Sequence, residues 1–423
     1  MWRFNNLAIS ALALAAPALA TLADLLDLQG TDVVPGKYIV SLKPGADITT
    51  HLSWVHSIIH HHHHQQSVSR RDTAGVEKKY GFGDFSGYAG AFDDETVTRI
   101  LQNENVLTVE PDRVAHLTST VQETNAPWGL KSLSSRNGLG SGDTRGHTYT
   151  YDDTAGAGTF AYVLDSGVLT NNSDFGGRAI KGFNTWDGTE SFDDHFGHGT
   201  HVAGTIASNT YGVAKKATVV DVKVVRGPGY STVSHVIDGI NWAVNNITAT
   251  PGKASKSVLN MSLAFTTTKT LNAAINAASA LGVLSVAAAG NDNAVSSTRS
   301  PASASTALTV GAVGRNGSRA GFSNYGPCVD VFAPGVDVAS LWNRDGVENV
   351  ISGTSMAAPH VAGLALYLKG LEEEEDGSYE VSSPADTIAR IQELATRDVV
   401  VDAGEGSLNL LAFNGVASVR GYV

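Results

Sequence analysis

Residues 353–368, GTSMAAPHVAGLALYL, constrain the fold more than any other stretch. From Met356 to Leu368 the chain is apolar almost throughout, which predicts a buried helix rather than an amphipathic surface one. Ser355 stands just ahead of that run, and Gly353 and Ala357 leave room for a backbone to approach closely. A serine in this place is most simply a helix cap. Free N–H groups and the positive end of the helix dipole also suit a nucleophile whose reaction develops an oxyanion.

Two other stretches supply what an activated serine lacks. In TFAYVLDSGV, residues 159–168, Phe160 to Leu164 read as a buried parallel strand ending in Asp165. Open α/β sheets place functional groups at the carboxyl ends of such strands, although Asp165 by itself could be a turn residue. In GHGTHVAGTIAS, residues 197–208, His198 stands between two glycines at the head of a small-residue helix. His201, one turn in, is expected to face the core. A serine nucleophile needs a base, and the base needs a carboxylate to hold its tautomer and stabilise its cation. The order Asp165, His198, Ser355 is that of subtilisin; an α/β-hydrolase would run Ser, Asp, His around a G-x-S-x-G turn.

With these residues stand TNAPWGL (124–130), YGVAKKA (211–217), AAAGNDN (287–293), SPAS (300–303), FSNYG (322–326) and SGTSMAAPHVAGLALYL (352–368). Together they resemble fungal subtilisin-family serine proteases of the proteinase K type, from about residue 121 to the end. The resemblance implies a three-layer α/β fold with a central parallel sheet, and a serine endopeptidase.

A chain of 423 residues has room for two or three domains. The net charge of −12 and the lack of a basic patch argue against a nucleic-acid partner. The single cysteine, Cys328, excludes an intrachain disulfide and is expected to be a small buried side chain. Residues 1–20 read as a secretory signal: Arg3, an apolar run from Leu7 to Leu19, and a small-x-small end at Ala18-Leu19-Ala20. That run is too short to span a membrane, so a secreted, monomeric protein with no membrane partner is expected.

Residues 21–120 follow as an expected propeptide. Strands at Lys37–Lys43, Phe85–Phe92 and Val106–Glu110, with helices at Asp47–Ile59 and Asp94–Asn103, make a small α+β pattern. The pattern resembles the inhibitor I9-type propeptide of subtilisin-like zymogens, an intramolecular inhibitor. His60 to His64 are read as part of a disordered loop rather than a metal site. The resemblance puts the mature start near Val121, within a catalytic domain over 121–423, with Leu117 to Thr120 lying in the cleft like a product.

In the catalytic part, strands are expected at Phe160–Leu164, Val219–Val225, Ser257–Leu263, Val283–Ala287, Ala307–Val310 and Val329–Phe332. Helices are expected at His198–Ala207, Ser231–Asn245, Thr270–Ala280 and Ser355–Leu368. The alternation argues for a parallel sheet covered on both faces. Asn291, after an apolar strand, is either a turn residue or a donor to the oxyanion beside the Ser355 amide. A peptide substrate would add as a strand between two edges: Gly227, Gly229 and Tyr230 on one side, Ser262, Leu263 and Ala264 on the other. Ala288, Ala289 and Gly290 would form the wall of a roomy first pocket with no buried acid, favouring apolar or aromatic residues.

No cofactor is expected for the chemistry. The resemblance maps a structural calcium onto the carbonyls of Ser305 and Ala307 and the carboxylate of Asp330, oxygen ligands that suit this cation. Asp330 could equally be a hydrogen-bonded strand-end residue. Asn171, Asn246 and Asn316 begin glycosylation sequons, whereas Asn260 is expected to stay bare inside a strand. The acidic run Glu372 to Asp376 reads as a solvated loop between helices. A non-catalytic binding or inhibitory protein on the same fold is the alternative; an esterase is disfavoured by the order of the triad.

Overall fold

The computed structural model describes residues 33–63, 75–113, 120–136, 144–186, 188–227, 229–371 and 383–416. The expected signal at 1–20 and the acidic run from Glu372 lie outside these residues. The chain divides into two compact units, Met1–Leu117 and Thr118–Val423.

The first unit holds β1 (Val33–Leu42), α1 (Ile48–His63), β2 (Gly75–Phe82), β3 (Phe85–Ala91), α2 (Asp94–Leu101) and β4 (Val106–Arg113). Its antiparallel sheet runs β2-β3-β1-β4. Tyr38, Val40, Val55, Tyr88, Val97, Ile100 and Val109 form its core. The backbone of His60 to His63 continues α1, where a loop was expected. Strand β2 escapes the sequence reading because GVEKKYGF is mostly exposed and has no apolar alternation.

The second unit begins with β5 (Thr120–Ala126), α3 (Trp128–Ser134), β6 (His147–Asp152), β7 (Phe160–Asp165) and β8 (Ala179–Asn184). There follow α4 (His198–Ala207), β9 (Thr218–Lys223), α5 (Val233–Thr248), β10 (Ser257–Met261), β11 (Phe265–Thr266), α6 (Lys269–Ala280) and β12 (Leu284–Ala288). The chain ends with β13 (Arg299–Ser300), β14 (Leu308–Val313), β15 (Val331–Pro334), β16 (Val338–Leu341), β17 (Glu348–Ile351), α7 (Thr354–Leu371), α8 (Pro384–Leu394), β18 (Thr396–Arg397) and β19 (Leu410–Leu411).

A nine-stranded sheet of order β18-β19-β15-β14-β12-β10-β7-β9-β8 forms the middle layer. Its pairings are parallel except that of β18 with β19. Strand residues alternate between two cores, as period-2 geometry requires. Ala161 and Val163 of β7 join Val202 and Ile206 of α4 and Val361 and Leu364 of α7. Tyr162 and Leu164 face the other way, onto Val236 and Ile240 of α5 and Leu271 and Ile275 of α6. Helices thus cover both faces, which is the expected three-layer α/β architecture. The apolar run after Ser355 is buried nearly throughout α7.

Thr120, expected in the cleft, is instead the first residue of β5 and pairs with Asp152 of β6. The Asp152 amide also donates to the hydroxyl of Tyr367, near the far end of α7 from Ser355. At 1.5 Å rise per residue that is about 18 Å along the helix. Pairing of β5 with β6 satisfies backbone groups that a cleft-bound segment would leave to the enzyme. Leu117 to Ser119 lie outside the described residues.

Candidate active site

The alternation that sends Ala161 and Val163 toward α4 and α7 sends Asp165 the same way, at the carboxyl end of β7. Its Oδ1 lies 2.8 Å from Nδ1 of His198, the first residue of α4. The same oxygen accepts the Ser166 amide at 2.7 Å. Asp165 is buried and His198 keeps 21% of its side chain exposed, so the imidazole is held from behind and open in front. Burial works to lower the His198 pKa, but the charge and hydrogen bond of Asp165, with the charge of Asp194, outweigh it and leave it raised above 6.5.

A glycine at each side of His198 makes the approach possible. Gly197 takes a left-handed φ of 94° beneath the Trp342 ring. A Cβ on Gly199 would stand 2.2 Å from the Gly167 carbonyl oxygen, so α4 can lie against the turn after β7 only with glycine there.

Ser355 is brought to the neighbouring strand end through Pro359. Proline has no N–H, so the Ser355 carbonyl has no partner four residues ahead in α7. It accepts the Ser262 hydroxyl at 2.8 Å instead, and Ser355 Oγ donates to the Ser262 carbonyl at 3.1 Å. Ser262 follows β10, which pairs with β7. The nucleophile candidate is therefore one strand away from Asp165, on the same sheet edge, with α4 and α7 packed side by side. Its hydroxyl points at Ser262 rather than at His198, as resting sites often do before substrate tightens them.

Asn291 lies on the loop after β12. Its Oδ1 accepts both the amide and the hydroxyl of Thr354, at 2.8 and 2.9 Å. The acceptor is thereby used up, and Nδ2 is left as the donor, on the side of Gly353. A cleft of about 480 Å³ opens here, lined by Leu263, Ala264, Ala288, Gly290, Asn291 and Ser355 among others. Ala289, expected on its wall, is fully buried and not among the lining residues. Asp292 and Arg299 also line the cleft and form an ion pair at 2.7 Å, so the one acid there is exposed and already matched.

The extended edge expected at Gly227, Gly229 and Tyr230 is a reverse turn. Arg226 and Tyr230 exchange both backbone hydrogen bonds, at 2.8 and 2.9 Å, and Gly227 and Gly229 have φ of 48° and 95°. Glycines at both positions make that closure cheap.

Two further residues organise the candidate site, although the sequence did not single out a role for either. Asp194 is buried and its Oδ1 accepts Ser166 Oγ and the amides of Phe196 and Gly197. Its Oδ2 accepts the amide and hydroxyl of Thr200. It caps α4, whose own N-cap glycine has no side chain to do so. Asn324, within FSNYG, donates to the Ala289 carbonyl and accepts the amides of Asp292 and Ala294, fixing the Asn291 loop. His201 is buried as expected, bonded to the Val338 carbonyl, with its pKa pushed down to about 3, chiefly by burial.

Residues 156–409 match the subtilase family, Peptidase S8. The chain belongs to the subtilase family. Residues 37–118 match the peptidase inhibitor I9 family, so this subtilase carries an inhibitor-type propeptide. It is 46% identical over 394 residues to alkaline protease 1 of Aspergillus flavus, covering 92% of this chain and 93% of that one. It is 46% identical over 413 residues to the subtilisin-like proteinase Mp1 of Magnaporthiopsis poae, covering 95% and 97%. The crystal structure of a cold-adapted subtilisin-like serine proteinase superposes with a TM-score of 0.60 at 38% identity, over 69% of this chain and 99% of that one. The subtilase is a serine-type endopeptidase made as a zymogen. Its substrates are proteins, and its propeptide is an intramolecular inhibitor.

The residues expected to hold calcium are not among those lining the cleft. The Asp330 Oδ2 accepts the Thr309 amide at 2.8 Å, and burial pushes its pKa up to about 6. Ala307 is buried and Ser305 exposed. Among the described residues no cluster of three or more His, Cys, Asp or Glu side chains could hold a metal ion. Cys328 is half-buried rather than buried. Asn260 is fully buried and donates to Ser262 Oγ, whereas Asn171, Asn246 and Asn316 are exposed. No described helix is long and apolar enough to cross a membrane.

Proposed function

We propose that Ser355 is the nucleophile of an acyl-enzyme mechanism. His198 takes the hydroxyl proton as Ser355 Oγ bonds to the substrate carbonyl carbon, and the carbonyl oxygen becomes an oxyanion held by Asn291 Nδ2 and the Ser355 amide. His198 then gives that proton to the leaving amine as the peptide bond breaks. Water, deprotonated by His198, hydrolyses the ester, and Ser355 recovers its proton. Asp165 keeps Nδ1 protonated and leaves Nε2 as the base.

The 2.8 Å contact between Asp165 and His198, with Ser355 anchored one strand away, is the observation that carries this reading. The Ser262 segment binds the substrate backbone, and the small Ala288 and Gly290 wall takes an apolar or aromatic side chain before the scissile bond. The protein is secreted after loss of residues 1–20. Self-cleavage near Val121 releases residues 21–120, which requires the junction to leave its place at β5 and reach Ser355.

A bound calcium would be structural rather than catalytic. One buried carboxylate with backbone carbonyls matches its taste for hard oxygen donors, and a bound cation would offset the cost of burying the Asp330 charge. Asp330, Ser305 and Ala307 would hold it.

A fluorophosphonate probe should label the wild-type chain at one serine and fail to label Ser355→Ala, which should also stay full length in a protease-free host. Labelling that survives the substitution would refute the assignment.

A further inference from the structure

The turn that replaces the expected substrate edge carries, beside the candidate active site, a cation with no carboxylate partner among the described residues. Its root is tied to the catalytic carboxylate residue: the amides of Val224 and Val225 both donate to the Asp165 carbonyl. Near its tip, a Cβ on Gly229 would lie 3.7 Å from the Phe196 ring, and that ring stacks on His198 with centroids 6.2 Å apart. One aromatic ring therefore separates the turn from the imidazole.

Arg226 opens this turn. Its guanidinium lies 4.5 Å over the Trp186 ring and 5.2 Å over the Tyr230 ring. Trp186 is itself fixed, donating to the Val224 carbonyl and stacking on His235. Arg226 and Tyr230 are exposed, as is Phe196. Among the described residues no carboxylate pairs with Arg226; Glu190 accepts the Gly227 amide instead. Two aromatic faces thus hold a planar cation with its N–H fork uncommitted, the geometry that receives a carboxylate in two parallel hydrogen bonds.

Resting on the endopeptidase reading of Ser355 and His198, we infer that Arg226, with Trp186 and Tyr230, forms a specificity subsite for an acidic substrate side chain on the acyl side of the scissile bond. The turn leaves less backbone edge on this side for strand pairing, so side-chain recognition takes over part of the selection. Neither the apolar first pocket nor the exposed, matched Asp292–Arg299 pair would produce such a preference.

The test uses the mature enzyme and a peptide library with a constant residue before the scissile bond and Glu, Gln or Lys at each earlier position. At one position kcat/KM for Glu should exceed that for Lys by about fivefold, the scale of an exposed charge pair. In Arg226→Gln that ratio should fall to about one, and in Arg226→Lys part of it should remain, since charge persists without the fork. The ratio is read within each enzyme, so any general loss of activity in a variant cancels. A wild type that does not discriminate, or an Arg226→Gln enzyme that keeps the ratio, overturns the subsite. Failure of the fluorophosphonate to label Ser355 would overturn the underlying reading instead.

Discussion

Two carboxylates, not one, are arranged around His198. Asp165 bonds its ring, while Asp194 holds the turn that carries it and adds to the field that raises its pKa. The base must be neutral to accept a proton, so kcat/KM should climb with pH through a limb above 6.5. Asp194→Ala should lower that limb and reduce kcat more than it raises KM. It should also destabilise the fold by about 1.5–3 kcal/mol, the loss expected for hydrogen bonds to a buried charge. A variant with the wild-type pH limb would reduce Asp194 to a structural cap. Asn291→Ala should likewise act on kcat, by about 10²–10³, the cost measured for the corresponding donor of subtilisin; unchanged turnover would remove Asn291 from the mechanism. Asp165, His198, Ser355 and Asn291 stood out as candidates because each sits in a distinctive local setting of glycines, small residues and strand ends. Asp194 was not singled out, and Asn324 only as part of FSNYG, since their roles consist of bonds to amides that only the folded loop brings within reach.

At the scale of elements, the site depends on how closely α4 can approach the turn after β7. Gly199 stands in a helix, where alanine would ordinarily add about 1 kcal/mol of stability. Here the added Cβ would meet a backbone oxygen at 2.2 Å, and backbone cannot swing aside. Overpacking should therefore win. Gly199→Ala is expected to destabilise by about 1–3 kcal/mol in thermal unfolding and to lower turnover by displacing His198. A stabilised variant would show that the approach is looser than described. The central strands and the long helices were readable from apolar runs bounded by glycines. Strands β2 and β8 were missed because edge strands with exposed faces lack that run. Helix α8 was expected beyond the acidic run but not placed, although Ser383 and Asp386 form a capping box, a signal present in the sequence. The edge at Gly227–Tyr230 was misread because glycines permit extended and turned backbone alike, and the choice fell to the Arg226–Tyr230 pairing.

At the scale of the whole molecule, stability should depend jointly on pH and calcium. The buried Asp330 carboxyl has its pKa raised from 3.8 to about 6. Between those values the folded chain binds more protons than the unfolded one, so without a cation this group makes stability fall as pH rises through that window. A cation on the carboxylate would reverse the penalty. Chelation should accordingly lower the Tm more at pH 8 than at pH 5, and a Tm indifferent to chelator at pH 8 would exclude a structural calcium. The subtilase family, its inhibitor-type propeptide, the layered parallel sheet and the candidates for the reacting groups were legible in the sequence alone, because each is written in residues adjacent along the chain: apolar runs, glycine-flanked histidine, serine ahead of a buried helix. Only the tertiary structure decided that Pro359 frees the Ser355 carbonyl for Ser262, that Asp194 gathers the start of α4, that Thr120 pairs in β5, and that Arg226 lies over the Trp186 and Tyr230 rings. These are contacts between residues distant in sequence, and their partners are chosen by packing, which no local pattern records.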